Sequence, residues 1–253
     1  MEYVRLGKTD LIVSRVAFGA MRLTDSVGVD DAASIVRKAY DCGINFFDTA
    51  SKSPESERLL GDAVYDIRKN VLLSTSTGGK TVAEIKESLE ASLMALHCDS
   101  VDLFQIETEK FLPLPGGADK IYETLKDLQR QSKIKHFGIV TTNLDTAKKV
   151  VQSGAYETIQ FPFNIISPDP CVELVKMCEE HDIGFIAMQP LGGGVLENVP
   201  LAYGFLNQYE SVVPLWGIKK QEELEQILYF NEHPPVIDEK FNSDADRLKN
   251  FFN

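Results

Sequence analysis

Residues Ile44 to Glu57 read INFFDTASKSPESE, an apolar run that ends on the carboxylate of Asp48 and passes into a Ser/Lys/Pro loop. A buried strand that runs into a charged residue and then a polar loop is the usual way an α/β protein delivers a side chain to a site. Asp48 is therefore the first candidate for chemistry. Beyond the loop, Glu55, Ser56 and Glu57 open a helical pattern. Ser56 or the residues before it are expected to cap the free N–H groups of that turn, and the acids suit its dipole. Other reactive types are dispersed. Cys42, Cys98, Cys171 and Cys178 show no C-x-x-C spacing; Cys171 and Cys178, seven apart, share one helix face and read as a reduced core pair. The histidines (His97, His136, His181, His233) fall at helix ends, at a strand's start or in the tail.

The elements that must position Asp48 alternate in type along the chain. A hairpin is expected first, Tyr3–Leu6 and Leu11–Val16 around the turn Gly7-Lys8-Thr9-Asp10. Strands are expected at Val16–Gly19, Asn45–Ala50, Val71–Thr77, Val101–Thr108, His136–Thr141, Thr158–Phe163, Gly184–Pro190 and Val212–Gly217. Between them lie helical patterns at Asp31–Cys42, Glu55–Lys69, Thr81–His97, Asp119–Ser132, Leu144–Ser153, Pro170–Asp182, Leu201–Tyr209 and Gln221–Phe230. In the third, Val82, Ile85, Leu89, Leu93 and Leu96 recur at helical spacing. Eight strands, each followed by a helix, in 253 residues is the arithmetic of an α/β fold of the (β/α)₈ TIM barrel type, here with an N-terminal β-hairpin and as one domain over residues 1–253. No G-x-G-x-x-G follows the first strand, which counts against a doubly wound sheet. The tail, from Asn231 to Asn253, is expected to end in a charged helix on the barrel's outside.

The net charge of −12 argues against a nucleic acid or an anionic membrane as partner. No apolar run approaches the ~18 residues of a membrane span, and MEYVRLGKTD has no signal core, so a cytoplasmic protein is expected.

FFDTA, a five-residue gap, then SE and a helix resembles the signature of the aldo-keto reductases, with Asp48 at the family's catalytic aspartate. RLGKTDLIVSRVAFGAMRL resembles the family's opening hairpin and first strand. QFPFNII (160–166), IAMQPLGGGVL (186–196) and KKQEELEQIL (219–228) resemble a branch of it whose members often continue into an iron–sulfur tail. This chain shows no C-x₂-C-x₂-C-x₃-C run, and no cluster is expected. The resemblance implies a barrel that binds NADP(H) at its C-terminal rim and reduces carbonyls with an aspartate, a tyrosine, a lysine and a histidine. At the tyrosine position stands Ser53, at the lysine position Ser76 and at the histidine position Glu107.

Cofactor contacts implied by the same resemblance are incomplete. Val140 and Thr141 stand where a Ser/Thr–Asn pair holds the carboxamide, and Gln160 matches the carboxamide-binding glutamine. Gly192, Gly193 and Gly194 would let backbone approach a pyrophosphate, or simply form a loop. Lys219 and Lys220 fall where the adenosine 2′-phosphate is bound, or open a solvated helical turn. Ile227 replaces an adenine-contacting asparagine, and Trp216 would either stack on adenine or fill its space. NADP is the candidate cofactor on these grounds, with its contacts eroded.

What remains at the rim is Asp48 and Glu107 among Thr49, Ser51, Ser53, Ser74 and Ser76. Two such carboxylates can share a proton. Without His or further acids they make a poor metal site, and no metal is expected. The expectation is a reductase-like barrel without ordinary carbonyl reductase activity, a pseudoenzyme that binds a small molecule or a protein partner. Two alternatives stand beside it: an NAD(P)H-dependent oxidoreductase delivering its proton through Glu107, and a non-redox enzyme using the Asp48/Glu107 pair.

Overall fold

A computed structural model describes residues 1–25 and 29–252. Strands β1 (Tyr3–Arg5) and β2 (Ile12–Ser14) form an antiparallel hairpin with Val4 opposite Val13. The rest of the chain alternates β3 (Ala17–Gly19), α1 (Val29–Asp41), β4 (Phe46–Asp48), α2 (Pro54–Val64), β5 (Leu72–Thr77), α3 (Val82–Ala95), β6 (Val101–Glu107) and α4 (Ile121–Arg130). It continues through β7 (Ile134–Val140), α5 (Leu144–Ser153), β8 (Thr158–Pro162), α6 (Asp169–Glu180), β9 (Gly184–Met188), α7 (Val199–Asn207), β10 (Val212–Gly217), α8 (Gln221–Glu232) and α9 (Glu239–Phe252). Strands β3 to β10 are parallel and close into a barrel, β10 pairing with both β9 and β3. The expected (β/α)₈ barrel with an N-terminal hairpin is the fold observed.

Side chains along a strand point alternately in and out, and this period divides the molecule into two cores. Phe47, Phe104, Ile106, Ile159 and Phe185 face outward into a continuous apolar layer beneath the helices. Ala17, Phe46, Leu103, Ile186, Val213 and Leu215 face inward and meet Leu6 and Val13 of the hairpin, which plugs the barrel's N-terminal end. Gly7 permits this plug, because it holds φ +51° and a Cβ there would lie 2.1 Å from the Gly184 nitrogen. Higher up the barrel the inward positions turn polar.

Several local details depart from the sequence expectation. The strand expected at Asn45–Ala50 is Phe46–Asp48. Asn45 instead ties the sheet to the hairpin, accepting from Ser14 N at 2.7 Å and donating to Ile12 O at 2.9 Å. The helix expected at Glu55–Lys69 ends at Val64 and tightens into a 3₁₀ stretch, Tyr65–Asn70. Ser56 does not cap it. Ser53 is the N-cap without a side-chain bond, Pro54 opens the helix, and the buried Ser56 hydroxyl binds Ala20 O and Thr49 Oγ1. Glu55 and Glu57 lie in the first turn as expected; Glu57 is buried, accepts from Thr75 Oγ1 at 2.7 Å, and burial raises its pKa. α3 begins on a capping box between Thr81 and Glu84. Cys171 and Cys178 are buried free thiols of α6. No helix among the described residues is long and apolar enough to cross a membrane. The terminal helix packs on the outside as expected, with Phe241 against Gly204, where a Cβ would come within 2.6 Å of the ring.

The barrel's lower edge is held by a charge cluster. Asp102, fully buried, accepts from Arg68 at 3.0 Å, Lys135 at 2.6 Å and Leu73 N at 2.9 Å, joining β5, β6 and β7. Removing the acid leaves Lys135 and the Leu73 amide without their acceptor, and Arg68 with only the Val71 and Ser100 carbonyls. Asp102→Ala is expected to lower the unfolding free energy by roughly 2–4 kcal/mol in urea titrations. A loss below about 1 kcal/mol, within the range of ordinary surface changes, would show that the cluster resolvates freely.

Candidate functional site at the barrel mouth

At the C-terminal ends of β4, β5, β6 and β8, inward positions carry Asp48, Ser74, Ser76, Gln105, Glu107 and Gln160. The strand register explains the grouping. Asp48 lies beside Ser74, Ser76 beside Gln105, and Glu107 beside Val140, which in turn neighbours Gln160. Because the sheet closes, residues from β4 and β8 also meet across the interior.

Asp48 is 4% exposed. Its Oδ2 accepts from Gln160 Nε2 at 3.4 Å, and Gln160 Oε1 accepts from Gln105 Nε2 at 2.8 Å. Gln105 Nε2 also donates to Ser74 Oγ at 3.3 Å, and Ser74 supports the Asp48 carboxylate. Four side chains from four strands thus form a ring of polar contacts inside the barrel. Two oxygens in it have no partner, Asp48 Oδ1 and Gln105 Oε1. Burial dominates the acid: loss of water raises the Asp48 pKa from 3.8 to about 7, against smaller opposing contributions from Ser74, Gln160 and the charge of Lys52.

Above the ring, Lys52 Nζ donates to Glu107 Oε1 at 2.6 Å. This pair joins the β4–α2 loop to the end of β6. The two acids expected to act together thus have different partners, Glu107 being held by Lys52 and Asp48 by Gln160 and Ser74. Ser53 sits half-buried beside the pair in sequence, and Ser76 is buried within the barrel.

The remaining expected contacts are spread around the rim. Thr141 is fully buried; its hydroxyl donates to Glu109 Oε2 at 3.3 Å and accepts from Asn143 N at 3.1 Å. Glu109 also takes the Thr142 amide at 3.1 Å, so this carboxylate occupies the donors after β7. Gly192, Gly193 and Gly194 form a 3₁₀ turn with φ of 56°, 71° and 102°, a left-handed run that favours glycine. Lys219 and Lys220 border a groove of about 470 Å³ with Ser34, Ile35 and Gln221, but Asp31 and Glu222 border it too. The carboxylate of Glu223, in the first turn of α8, accepts from Lys219 N at 2.9 Å. Ile227 is buried.

Trp216 requires a correction. It does not face the rim, as an adenine-stacking or adenine-replacing residue would. Its neighbour Leu215 takes the inward position, so Trp216 points outward, 2% exposed, stacked on Tyr203 of α7 at 5.8 Å. The histidines stay away from the ring: His97 and His181 bond Asp62 and Met177 O, His136 bonds Glu157, and His233 bonds Tyr229 O. Among the described residues no group of three or more His, Cys, Asp or Glu could hold a metal ion.

Sequence reasoning missed Gln105, Lys52 and Glu109. Gln105 left a signal, a polar residue at an inward position of the apolar strand VDLFQIE. Lys52 left none, because a loop lysine is ordinarily solvated.

Comparison with known proteins agrees with this architecture. The model of the aldo/keto reductase family matches residues 15–204. The chain belongs to the aldo/keto reductase family. It is 28% identical over 211 residues to the uncharacterized oxidoreductase YqkF of Bacillus subtilis, covering 78% of this chain and 67% of the relative. It is 27% identical over 214 residues to L-galactose dehydrogenase of Arabidopsis thaliana, with the same shares. The fold superposes on the holo form of aldo-keto reductase AKR11C1 from Bacillus halodurans with a TM-score of 0.85 and 20% identity, covering 98% of this chain and 96% of that one.

The buried acid gives this family member a testable pH dependence. An acid whose folded pKa lies above its unfolded value binds more protons folded than unfolded between the two. Its contribution to stability is therefore greatest near pH 4 and declines as pH rises to about 7. Asp48→Asn, which carries no charge, removes this decline. The variant is expected to gain on the native chain between pH 4 and 7, by up to roughly 4 kcal/mol at ~1.4 kcal/mol per pKa unit, in urea midpoints taken across that range. Parallel curves for the two proteins would show that Asp48 titrates normally.

Proposed function

We propose that this chain is a small-molecule-binding member of the aldo/keto reductase family that does not perform nicotinamide-dependent carbonyl reduction. The observation that carries this reading is the engagement of Gln160. The residue that the resemblance assigns to the nicotinamide carboxamide already joins Gln105 and Asp48 across the barrel. Its neighbours point the same way. Thr141 and Thr142 are held by Glu109, and the carboxylate of Glu223 binds the Lys219 amide beside the two lysines. These residues fit a nicotinamide dinucleotide poorly. The proton side is as weak: serines stand at the tyrosine and lysine positions, and Glu107 is bound to Lys52. Loss of a positioned general acid typically costs ~10²–10⁴ in rate.

One observation favours a second reading. A carboxyl with a pKa of about 7 can donate a proton near neutrality, so a reductase would deliver its proton from Asp48 rather than from Glu107. A non-redox reaction of an Asp48/Glu107 pair has less support, because each acid is held by different partners.

Oxidation of NADPH or NADH by a panel of aldehydes and ketones, followed at pH 6–8, tests the proposal. No turnover above background is expected. Trp216, the single tryptophan, is expected to show no saturable quenching at low micromolar NADPH. Turnover that disappears in Asp48→Asn would install the second reading; turnover that survives there but disappears in Glu107→Ala would restore proton delivery through Glu107.

A further inference from the structure

We infer that the barrel mouth takes a ligand presenting a primary ammonium group, which passes the Lys52–Glu107 pair and donates hydrogen bonds to Asp48 Oδ1 and Gln105 Oε1. The inference rests on the mouth being a binding site and names the chemistry of its ligand. Buried polar atoms in native proteins are nearly always satisfied, and an unfilled pair marks a missing partner. Both unfilled atoms here are acceptors, on the two members of the ring that Gln160 and Ser74 lie between. The missing partner is therefore a donor. The ring's amide nitrogens are engaged elsewhere, Gln160 Nε2 with Asp48 Oδ2 and Gln105 Nε2 with Gln160 and Ser74.

Charge selects among donors. Water brings donors but no charge, and beside it Asp48 stays protonated up to its pKa of about 7, whereas a cation also stabilises the ionised form. Lys52 does not supply that charge directly, since its ammonium is bound to Glu107 at 2.6 Å and the two charges offset each other. A divalent metal is a poor match, because one carboxylate and neutral oxygens offer too little negative charge and too few ligands. A primary ammonium brings one positive charge and three N–H donors. Asp48 Oδ1 and Gln105 Oε1 take two of them, and the hydroxyls of Ser74 and Ser76 line the same inward face. The chain's net charge of −12 favours the approach of a cation.

Protons compete with such a ligand for Asp48. The groups that face this acid are Ser74 of β5, Gln105 and Glu107 of β6, Gln160 of β8 and Lys52 of its own loop. Only Lys52 and Glu107 among them carry charge, and they stay paired. Affinity is then level above the Asp48 pKa of about 7 and falls about tenfold per pH unit below it.

Methylammonium chloride is the probe, titrated calorimetrically into the full chain at pH 8, with tetramethylammonium chloride at equal ionic strength as the control. Methylammonium stays a cation over the whole range, and the control carries the same charge without N–H donors. Saturable binding of methylammonium alone is expected, weakened at least about tenfold in Asp48→Asn and severalfold in Gln105→Met, and about a hundredfold weaker at pH 5 than at pH 8. Equal responses to the two salts would reduce the effect to ionic strength. Binding retained in Asp48→Asn, or no binding at all, would leave water as the occupant and overturn the inference. Should Asp48→Asn fail to fold, Gln105→Met and the pH series decide. None of these measurements involves a cofactor. A blank titration without NADPH consumption therefore sinks the ammonium ligand alone, whereas NADPH-dependent reduction sinks the binding-only reading.

Discussion

Asp48 ends β4 with its carboxylate out of water, held by Gln160 at 3.4 Å and supported by Ser74. Desolvation of a carboxylate is expensive, and the surrounding side chains are arranged around that cost. Gln160 turns its amide toward the acid, Gln105 turns its own amide toward Gln160, and Ser74 closes the ring. Every group recruited in this way is a group withdrawn from some other contact. The barrel thus spends its upper interior on supporting one acid, and still leaves two acceptors unfilled.

A second layer of charge sits above the first. The Lys52–Glu107 pair ties the loop after β4 to the end of β6, over an acid that stays half-neutral at pH 7. An ion pair this exposed contributes little to stability, about 0–1 kcal/mol. Its consequence is positional: it fixes the loop that carries Ser53 and engages the side chain at the position the family gives to histidine. The lower barrel follows the opposite rule. There the interior is apolar, plugged by Leu6 and Val13, and the buried acid Asp102 has three donors. Apolar packing fills the floor and polar side chains line the mouth, the division common to barrels of this type.

Membership of the aldo/keto reductase family fixes the scaffold but leaves the chemistry to the site. The same closed sheet can carry a redox site or a binding pocket, because the strands supply the positions and the side chains at their ends supply the function. Here those side chains bond chiefly to one another.

The sequence by itself determined the barrel, the hairpin and the delivery of Asp48. Alternating apolar runs and amphipathic segments are local signals, and each of the expected strands and helices appears within a few residues of its place. It also determined which residues occupy the family's positions, since FFDTA and VDLFQIE carry their own alignment. What only the tertiary structure decided is what those residues touch. Barrel closure brings Gln160 of β8 to Asp48 of β4, across 112 positions of chain, and no local pattern encodes that meeting. The fold also gives the two acids at the rim different partners, Lys52 for Glu107 and Gln160 for Asp48. Strand alternation sends Trp216 outward onto Tyr203 while Leu215 turns in, a choice that depends on the register of β10 between β9 and β3. Contact across a closed sheet is set by register and by what is buried, and both arise only when all eight strands are in place.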